Sequence, residues 1–159
     1  MQEHPFKAII FKSSKTLILG TFPSLKSFEN SFYYAHPRNQ FWKILSHISG
    51  YPVDTTKQKI ELLKELDLAL WDIVKSCNRK NSSDSNLKDI VVNDIKNLLK
   101  EYPNIKLIAF TSRLAQKIYN KEFSDLDITT SYLPSPSSAY ASMSFENKCE
   151  IYKKILVEK

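Results

Sequence analysis

The chain has 159 residues, 42% of them hydrophobic and 25% charged, which predicts a single soluble globular domain over residues 1–159 and excludes two ordinary domains. No apolar run reaches the length of a membrane span and the first residues lack a signal-peptide pattern, so we expect a cytoplasmic protein without membrane contact. The formal net charge of +6, from 23 Lys and Arg against 17 Asp and Glu, favours a polyanionic partner such as nucleic acid.

The first strong signal is an apolar run that stops at a glycine. Thr16–Leu19 has the composition of a buried strand, and the loop Gly20–Ser24 follows it directly. The chain contains only two glycines, so Gly20 indicates a backbone requirement, either a positive φ or the close approach of a ligand. Because ligands bind at the carboxyl ends of strands in open α/β sheets, the junction predicts a binding loop. The alternative is an ordinary connection after a strand.

The segment Phe32–Trp42, called the tyrosine-rich segment below, contains five aromatic residues among eleven. Its polar side chains, His36, Arg38, Asn39 and Gln40, would be unfavourable to bury without partners. Aromatic faces interleaved with amide and guanidinium groups suit a pocket that stacks on a nucleobase and reads its edge. The alternative is a stretch of core that includes a histidine.

Strand-like and helix-like signals alternate along the chain, without repeats or a linker. Strands are predicted at Thr16–Leu19, Ala69–Val74, Leu107–Phe110 and Ile128–Tyr132. Helices are predicted at Phe41–Ser49, Lys57–Glu65, Asp94–Glu101, Leu114–Tyr119 and Phe145–Val157, and a surface loop at Asn78–Asn86. Runs such as Leu107–Phe110 are continuously apolar, as in parallel strands covered on both faces. The pattern predicts an α/β three-layer sandwich with a central four-stranded, mainly parallel sheet.

A second candidate loop follows the last predicted strand. Leu133–Tyr140, called the Pro/Ser loop below, contains two prolines and the serines Ser135, Ser137 and Ser138. Prolines fix the backbone, so the hydroxyl and amide donors can grip phosphates with little loss of entropy. The alternative is a solvated loop. In an α/β sheet this loop and Gly20–Ser24 can meet at one edge, with the tyrosine-rich segment closing over them.

Few residues suggest metal or acid chemistry. Cys77 and Cys149 have neither metal-binding nor redox spacing, so we expect reduced thiols and no metal site. Asp72 and Asp84 are the nearest acidic candidates for chemistry, and we expect each to be a turn or surface residue.

Taken in chain order, these segments resemble the uracil-DNA glycosylase superfamily, and more closely its hypoxanthine-DNA (deoxyinosine) glycosylase branch. The likeness runs from about residue 6 to residue 156, and the tyrosine-rich segment is its most specific part. The matching pieces are Gly20–Ser24 with Ser27, Phe32–Trp42, Ala69–Val74, Ser76–Cys77, Asp84–Ser85, Asn93–Ile95 and Leu133–Ala139.

The resemblance implies a monofunctional DNA-deoxyinosine glycosylase that hydrolyses the N-glycosidic bond of hypoxanthine in DNA, and of uracil or xanthine as further substrates. It implies no metal and no organic cofactor, and we expect a monomer acting on DNA that contains deaminated bases. Many superfamily members carry a water-activating Asp or Asn in the first motif, where this chain has Thr21 and Phe22. Many also have a His at the position of Leu133. In the hypoxanthine branch the functional amide lies in the tyrosine-rich segment, at Asn39 here.

Two residues are assigned to catalysis. Asn39 can orient a water through its carbonyl or donate an amide hydrogen to the base; the alternative is that it caps the helix beginning near Phe41. His36 can donate to the departing base or to a phosphate; the alternative is that it packs the turn before Pro37.

The remaining site residues are assigned to binding. The base-binding residues are Gly20, Thr21, Phe22, Tyr34 and Phe41, through backbone N–H groups and aromatic stacking. The DNA-binding residues are Ser24, Ser27, Arg38, Ser135, Ser137, Ser138 and Tyr140, with Tyr140 or Met143 filling the gap left in the duplex by the extruded base.

Three other functions remain open from the sequence. A non-catalytic nucleic-acid-binding protein could retain the glycosylase fold, because the usual water-activating residue is missing from the first motif. A glycosylase specific for uracil or mismatches would use the same segments. An enzyme acting on a free small molecule, such as a nucleoside hydrolase, is disfavoured by the basic net charge.

Overall fold

The computed structural model describes residues 2–79 and 87–158. Within them the strands are β1 Gln2–Glu3, β2 Thr16–Gly20, β3 Leu68–Asp72, β4 Val74–Asn78, β5 Lys88–Val92, β6 Leu107–Phe110 and β7 Thr129–Tyr132. The helices are α1 Leu25–Asn30, α2 Phe41–Ser49, α3 Thr56–Glu65, α4 Ile95–Glu101, α5 Arg113–Glu122 and α6 Phe145–Leu156. Most of the predicted loop Asn78–Asn86, including Asp84 and Ser85, lies outside the described residues.

The centre of the fold is a four-stranded sheet in the order β3-β2-β6-β7, and every neighbouring pair in it is parallel. All five residues of β2 are buried, which explains why its sequence is continuously apolar. The predicted sheet and the α/β class are confirmed.

Helices cover both faces of this sheet, and the direction of each strand side chain decides which layer it joins. Ile18 packs with Phe41, Leu62 and Tyr152, which come from α2, α3 and α6. Its neighbour Leu17 points to the opposite face and packs with the layer that contains α4 and α5. The result is the three-layer sandwich predicted from the alternation of elements.

A small antiparallel sheet, β1-β4-β5, was not predicted. The apolar run Ala69–Val74 was predicted as one strand, but the central strand ends at Asp72 and Val74 begins β4. The change of sheet is set by pairing, because β4 bonds to β1 and β5 while β3 bonds to β2. No proline or glycine marks this break in the sequence.

The carboxyl ends of the four parallel strands lie at one edge of the sheet. Gly20 ends β2 and is level with Asp72, the last residue of β3. Phe110 ends β6 and is level with Tyr132 of β7, directly before the Pro/Ser loop. Among the described residues, none of the helices combines the length and apolarity needed to cross a bilayer.

Candidate active site

A cavity of about 320 Å³ opens at this edge. Its walls are the loop Gly20–Ser24, the tyrosine-rich segment and the Pro/Ser loop, as predicted. The backbone N–H of Gln40 donates to the carbonyl of Pro136 (2.8 Å), which joins two of these walls directly. The predicted site residues in the lining are Gly20, Thr21, Phe22, Ser24, Ser27, Tyr34, His36, Asn39, Ser135, Ser137 and Ser138.

Gly20 forms the floor of the cavity for a steric reason. Its φ is not in the positive region, so of the two backbone requirements considered for Gly20 a positive φ does not apply. A Cβ at Gly20 would lie 2.6 Å from Oδ1 of Asp72, 3.0 Å from the Tyr34 hydroxyl oxygen and 3.3 Å from Oγ1 of Thr111. Three polar groups therefore converge over the one residue that has no side chain to obstruct them.

Asp72 is a buried floor residue, which corrects its placement as a turn or surface residue. It is 4% exposed and lines the cavity. The Nε2–H of His4 donates to Oδ2 of Asp72 (2.8 Å), and the amide of Asn93 donates to the Asp72 carbonyl (2.8 Å). His4 thus fixes one carboxylate oxygen, while the other is directed at the space above Gly20.

The Asp72 carboxylate also affects a neighbouring tyrosine. Burial raises the pKa of the Tyr33 hydroxyl far above its ordinary value, and the charge of Asp72 raises it further. Tyr33 therefore stays neutral, and its hydroxyl donates to the carbonyl of Lys7 (2.9 Å). It is a structural donor and not a base.

The far wall contains two hydroxyl residues that were not predicted from the sequence. Thr111 and Ser112 follow β6 directly and line the cavity. The hydroxyls of Thr111 and Tyr34 are hydrogen-bonded (2.9 Å), and the hydroxyls of Thr21 and Ser112 are hydrogen-bonded to each other. Both residues could have been predicted from their position directly after a parallel strand, because the same reasoning identified the loop after β2.

Phe41 is not a base-binding residue, which corrects the prediction. It is 0% exposed and lies outside the lining. Its ring stacks on Tyr34 with centroids 4.0 Å apart and an interplanar angle of 18°. Phe41 therefore supports Tyr34, which is half-buried in the wall and has a φ of 52°. That left-handed backbone is unusual for a tyrosine.

Ser27 is a buried structural residue at the cavity lining, and its predicted DNA contact stays a prediction. It is 2% exposed, and its hydroxyl accepts hydrogen bonds from the backbone N–H of Ala35 (3.0 Å) and the hydroxyl of Ser24 (3.2 Å). These bonds tie α1 to the tyrosine-rich segment. Ser24 also caps α1, because its hydroxyl accepts from the N–H of Ser27 (3.1 Å).

Asn39 is half-buried in the cavity wall, with its two side-chain atoms in different roles. Oδ1 accepts a hydrogen bond from the N–H of Phe41 (2.9 Å), the first residue of α2, so this atom supports the start of the helix although Gln40 is the N-cap. Across the described residues, the amide nitrogen donates no hydrogen bond and remains available to a ligand. Of the two chemical roles considered, the amide donor fits this arrangement better than the water-orienting carbonyl.

His36 is exposed at the rim of the cavity. Its Nδ1 accepts from the N–H of Arg38 (3.1 Å), which is the turn-packing role, while the ring stays in the lining. Arg38 and Tyr140 are exposed and lie outside the lining. Their DNA contacts stay predictions.

The Pro/Ser loop is held by its own hydroxyls. The N–H of Ser137 donates to Oγ of Ser135 (3.2 Å), and the N–H of Ala139 donates to Oγ of Ser137 (3.2 Å). Below the loop, the buried hydroxyl of Tyr152 donates to the carbonyl of Pro134 (2.6 Å). These bonds order the loop before any ligand arrives, as binding with little entropy loss requires.

Within residues 2–79 and 87–158, no three His, Cys, Asp or Glu side chains are grouped as metal ligands would be. Cys77 and Cys149 are buried free thiols, and burial raises the pKa of the Cys149 thiol. Both cysteines lie outside the cavity lining.

Comparison with known proteins gives consistent matches. The sequence model of the family described as the uracil DNA glycosylase superfamily matches residues 9–157. A hypoxanthine DNA glycosylase of Methanosarcina acetivorans is 32% identical over 152 residues, which cover 94% of this chain and 96% of that protein. A hypoxanthine DNA glycosylase of Methanosarcina barkeri is 32% identical over 115 residues, covering 71% and 73%. The solution NMR structure of a candidate uracil DNA glycosylase from Methanosarcina acetivorans superposes with a TM-score of 0.85 at 30% identity, over 98% of this chain and 97% of that one.

Proposed function

The chain belongs to the uracil DNA glycosylase superfamily, and from that premise we propose that it is a monofunctional DNA glycosylase that excises hypoxanthine from DNA. One observation favours hypoxanthine over adenine: an amide donor on Asn39 and a carboxylate acceptor on Asp72 line the same cavity. The cavity lies at the carboxyl edge of the sheet, where the ligands of open α/β folds bind.

The edge of hypoxanthine matches these two groups. Hypoxanthine presents an N–H donor beside a carbonyl acceptor, whereas adenine presents a lone pair beside an amino donor. The Asn39 amide suits the carbonyl and the Asp72 carboxylate suits the N–H. Adenine would place its amino donor toward the amide and its lone pair toward the carboxylate, leaving buried polar groups unpaired. Such a mismatch is the strongest form of discrimination available to a polar site.

The chemistry needs the base outside the duplex, because its glycosidic bond cannot be reached within the stack. Phe22 and Tyr34 provide the aromatic surface in the lining on which an extruded base can stack. As the bond breaks, the base becomes an anion, and the Asn39 amide can stabilise its carbonyl oxygen. The cationic sugar is stabilised by the phosphates of the DNA itself, while Ser24 and the Pro/Ser loop hold the strand. A water molecule adds its oxygen to the sugar carbon that the base leaves, and the proton it releases neutralises the departing base, so the products are an abasic site and the free base.

Uracil is the second candidate substrate, because its N–H donor likewise lies beside a carbonyl acceptor. The same pair, Asn39 and Asp72, can therefore read it. The smaller ring would contact less of the aromatic wall, so we expect slower excision than for hypoxanthine.

The proposed function is tested with purified protein and duplexes that each contain one hypoxanthine, uracil, xanthine or mismatched thymine. Alkali converts every abasic site into a strand break that can be measured. We expect breaks at hypoxanthine first and none in an all-adenine control. DNA binding without strand breaks would support the non-catalytic alternative. Breaks at uracil alone would support a uracil-specific glycosylase. Release of the base from free inosine but not from DNA would support a nucleoside hydrolase.

A methyl group at Gly20 should damage the floor of the cavity. In Gly20→Ala the new Cβ would meet Oδ1 of Asp72 at 2.6 Å, and the bond from His4 restricts how far that carboxylate can retreat. Overpacking of this kind lowers stability by about 1–3 kcal/mol. We expect that loss in urea denaturation, together with a fall in excision under conditions where the variant is folded.

The matched control is Gly50→Ala, at the other glycine. Gly50 has a φ of 79° and open space around its Cβ position, so alanine there introduces backbone strain of about 1 kcal/mol but no contact with the cavity. Excision should stay at the wild-type level in this control. Wild-type excision by folded Gly20→Ala would contradict the role given to the cavity floor.

A further inference from the structure

A lysine is buried behind the Pro/Ser loop. Lys148 lies in α6 and is 1% exposed. Its ammonium donates to Oε1 of Gln40 (2.8 Å) and to the carbonyl of Ser137 (3.4 Å), and it lies 5.3 Å from the ring centre of Tyr140. The side chain thus connects the tyrosine-rich segment to the Pro/Ser loop from the inside.

Among the residues that the structure describes, the charge of Lys148 has no carboxylate partner. None of the ion pairs found among the described residues includes it, and both of its hydrogen-bond acceptors are neutral. Burial lowers the pKa of its ammonium, as desolvation of a cation does. A buried charge without a counter-charge opposes folding. The position of Lys148 directly behind a cavity wall therefore suggests that its charge has a functional role.

The outer side of the same loop is suited to an anion. Ser137 and Ser138 line the cavity, and Ser138 is exposed. Within the described part of the chain the N–H of Ser138 donates no hydrogen bond, so it is free to bind a phosphate oxygen. An anion seated there would supply the negative charge that Lys148 lacks in the free protein.

We propose that Lys148 is a positioning residue that holds the Pro/Ser loop ready for a DNA phosphate and supplies the buried positive charge which that phosphate neutralises. The proposal rests on DNA being the substrate, as in the proposed function. It makes Lys148 part of the binding machinery although its side chain is shielded from solvent.

The test compares Lys148→Met with wild type on an undamaged duplex over a range of salt concentrations. Methionine keeps the aliphatic length and removes the ammonium. We expect weaker binding, and a slope of log affinity against log salt that is smaller in magnitude by about 0.9, the value of one phosphate contact. The melting temperature should change little, because removal of the desolvated charge offsets the loss of the donor to Oε1 of Gln40.

Lys154→Met is the control, since it removes one charge from an exposed position of the same helix. Its salt slope should change by less than half as much. A lower melting temperature of Lys148→Met with an unchanged slope would show a purely structural lysine and overturn the proposal. Equal slope changes in both variants would also overturn it. Because undamaged DNA is the probe, this outcome is independent of whether wild type excises hypoxanthine.

Discussion

Replacing Asn39 by alanine should reduce single-turnover excision of hypoxanthine about 100-fold or more, the usual effect of removing one oriented donor from a developing anion. The same change removes the acceptor for the N–H of Phe41, so stability should fall by about 1 kcal/mol, as for other lost helix caps. Excision rates are measured at saturating protein and well below the melting temperature, so the loss of catalysis is measured separately from the loss of stability.

Asn39→Asp separates the two roles of this side chain. A carboxylate oxygen can still accept from Phe41, so the helix should remain capped and the variant should melt near the wild-type temperature. It has no amide hydrogen to donate, so excision should remain as low as in Asn39→Ala. Wild-type rates in either variant would show that Asn39 is only a cap, and His36 would then be the next candidate.

Breaking the bond between His4 and Asp72 should have the largest effect on stability. In Asp72→Ala the buried Nε2–H of His4 loses its acceptor, which lowers stability by about 1–3 kcal/mol. In His4→Ala the carboxylate stays buried without its partner, and stability should fall by about 3–5 kcal/mol. Since each single change removes the same bond, the double variant should lose less than the sum of the two, as urea denaturation can measure.

Asp72→Asn tests the role of the carboxylate in recognition without breaking the fold. The amide oxygen can still accept from Nε2–H of His4, which would direct the amide N–H₂ group at the cavity floor. A donor would then face the N–H of hypoxanthine, so excision should fall strongly while the protein stays folded. Excision of hypoxanthine at the wild-type rate by Asp72→Asn would contradict a role of Asp72 in base recognition.

Three features of the site follow from the sequence because they depend on local order along the chain. The buried run of β2 is continuously apolar and ends at Gly20, which is enough to predict a strand and the loop after it. The tyrosine-rich segment and the Pro/Ser loop are likewise defined by their own composition. The carboxyl-end rule for parallel strands then brings the loops to one edge, which the shared cavity lining confirms.

Side-chain direction was decided only by the tertiary structure. Phe41 and Tyr34 are both aromatic and belong to one segment, yet packing buries the first completely and leaves the second in the cavity wall. Ser27 has the same hydroxyl as Ser138, but its own is occupied by Ala35 and Ser24. Composition cannot distinguish such residues, because the difference lies in what surrounds each one.

The partners of the buried charged residues could not be predicted from the sequence either. His4 and Asp72 are 68 positions apart, and Lys148 and Gln40 are 108 apart. Chain closure over such separations is governed by the whole fold and leaves no local pattern. The sequence by itself thus determined the sheet, the loops at its edge and Asn39 as the amide in the wall. Only the tertiary structure shows that Asp72 lies at the cavity floor and that Lys148 lies behind the Pro/Ser loop. The reason is that a charged side chain can be buried only where folding brings hydrogen-bonding groups to it.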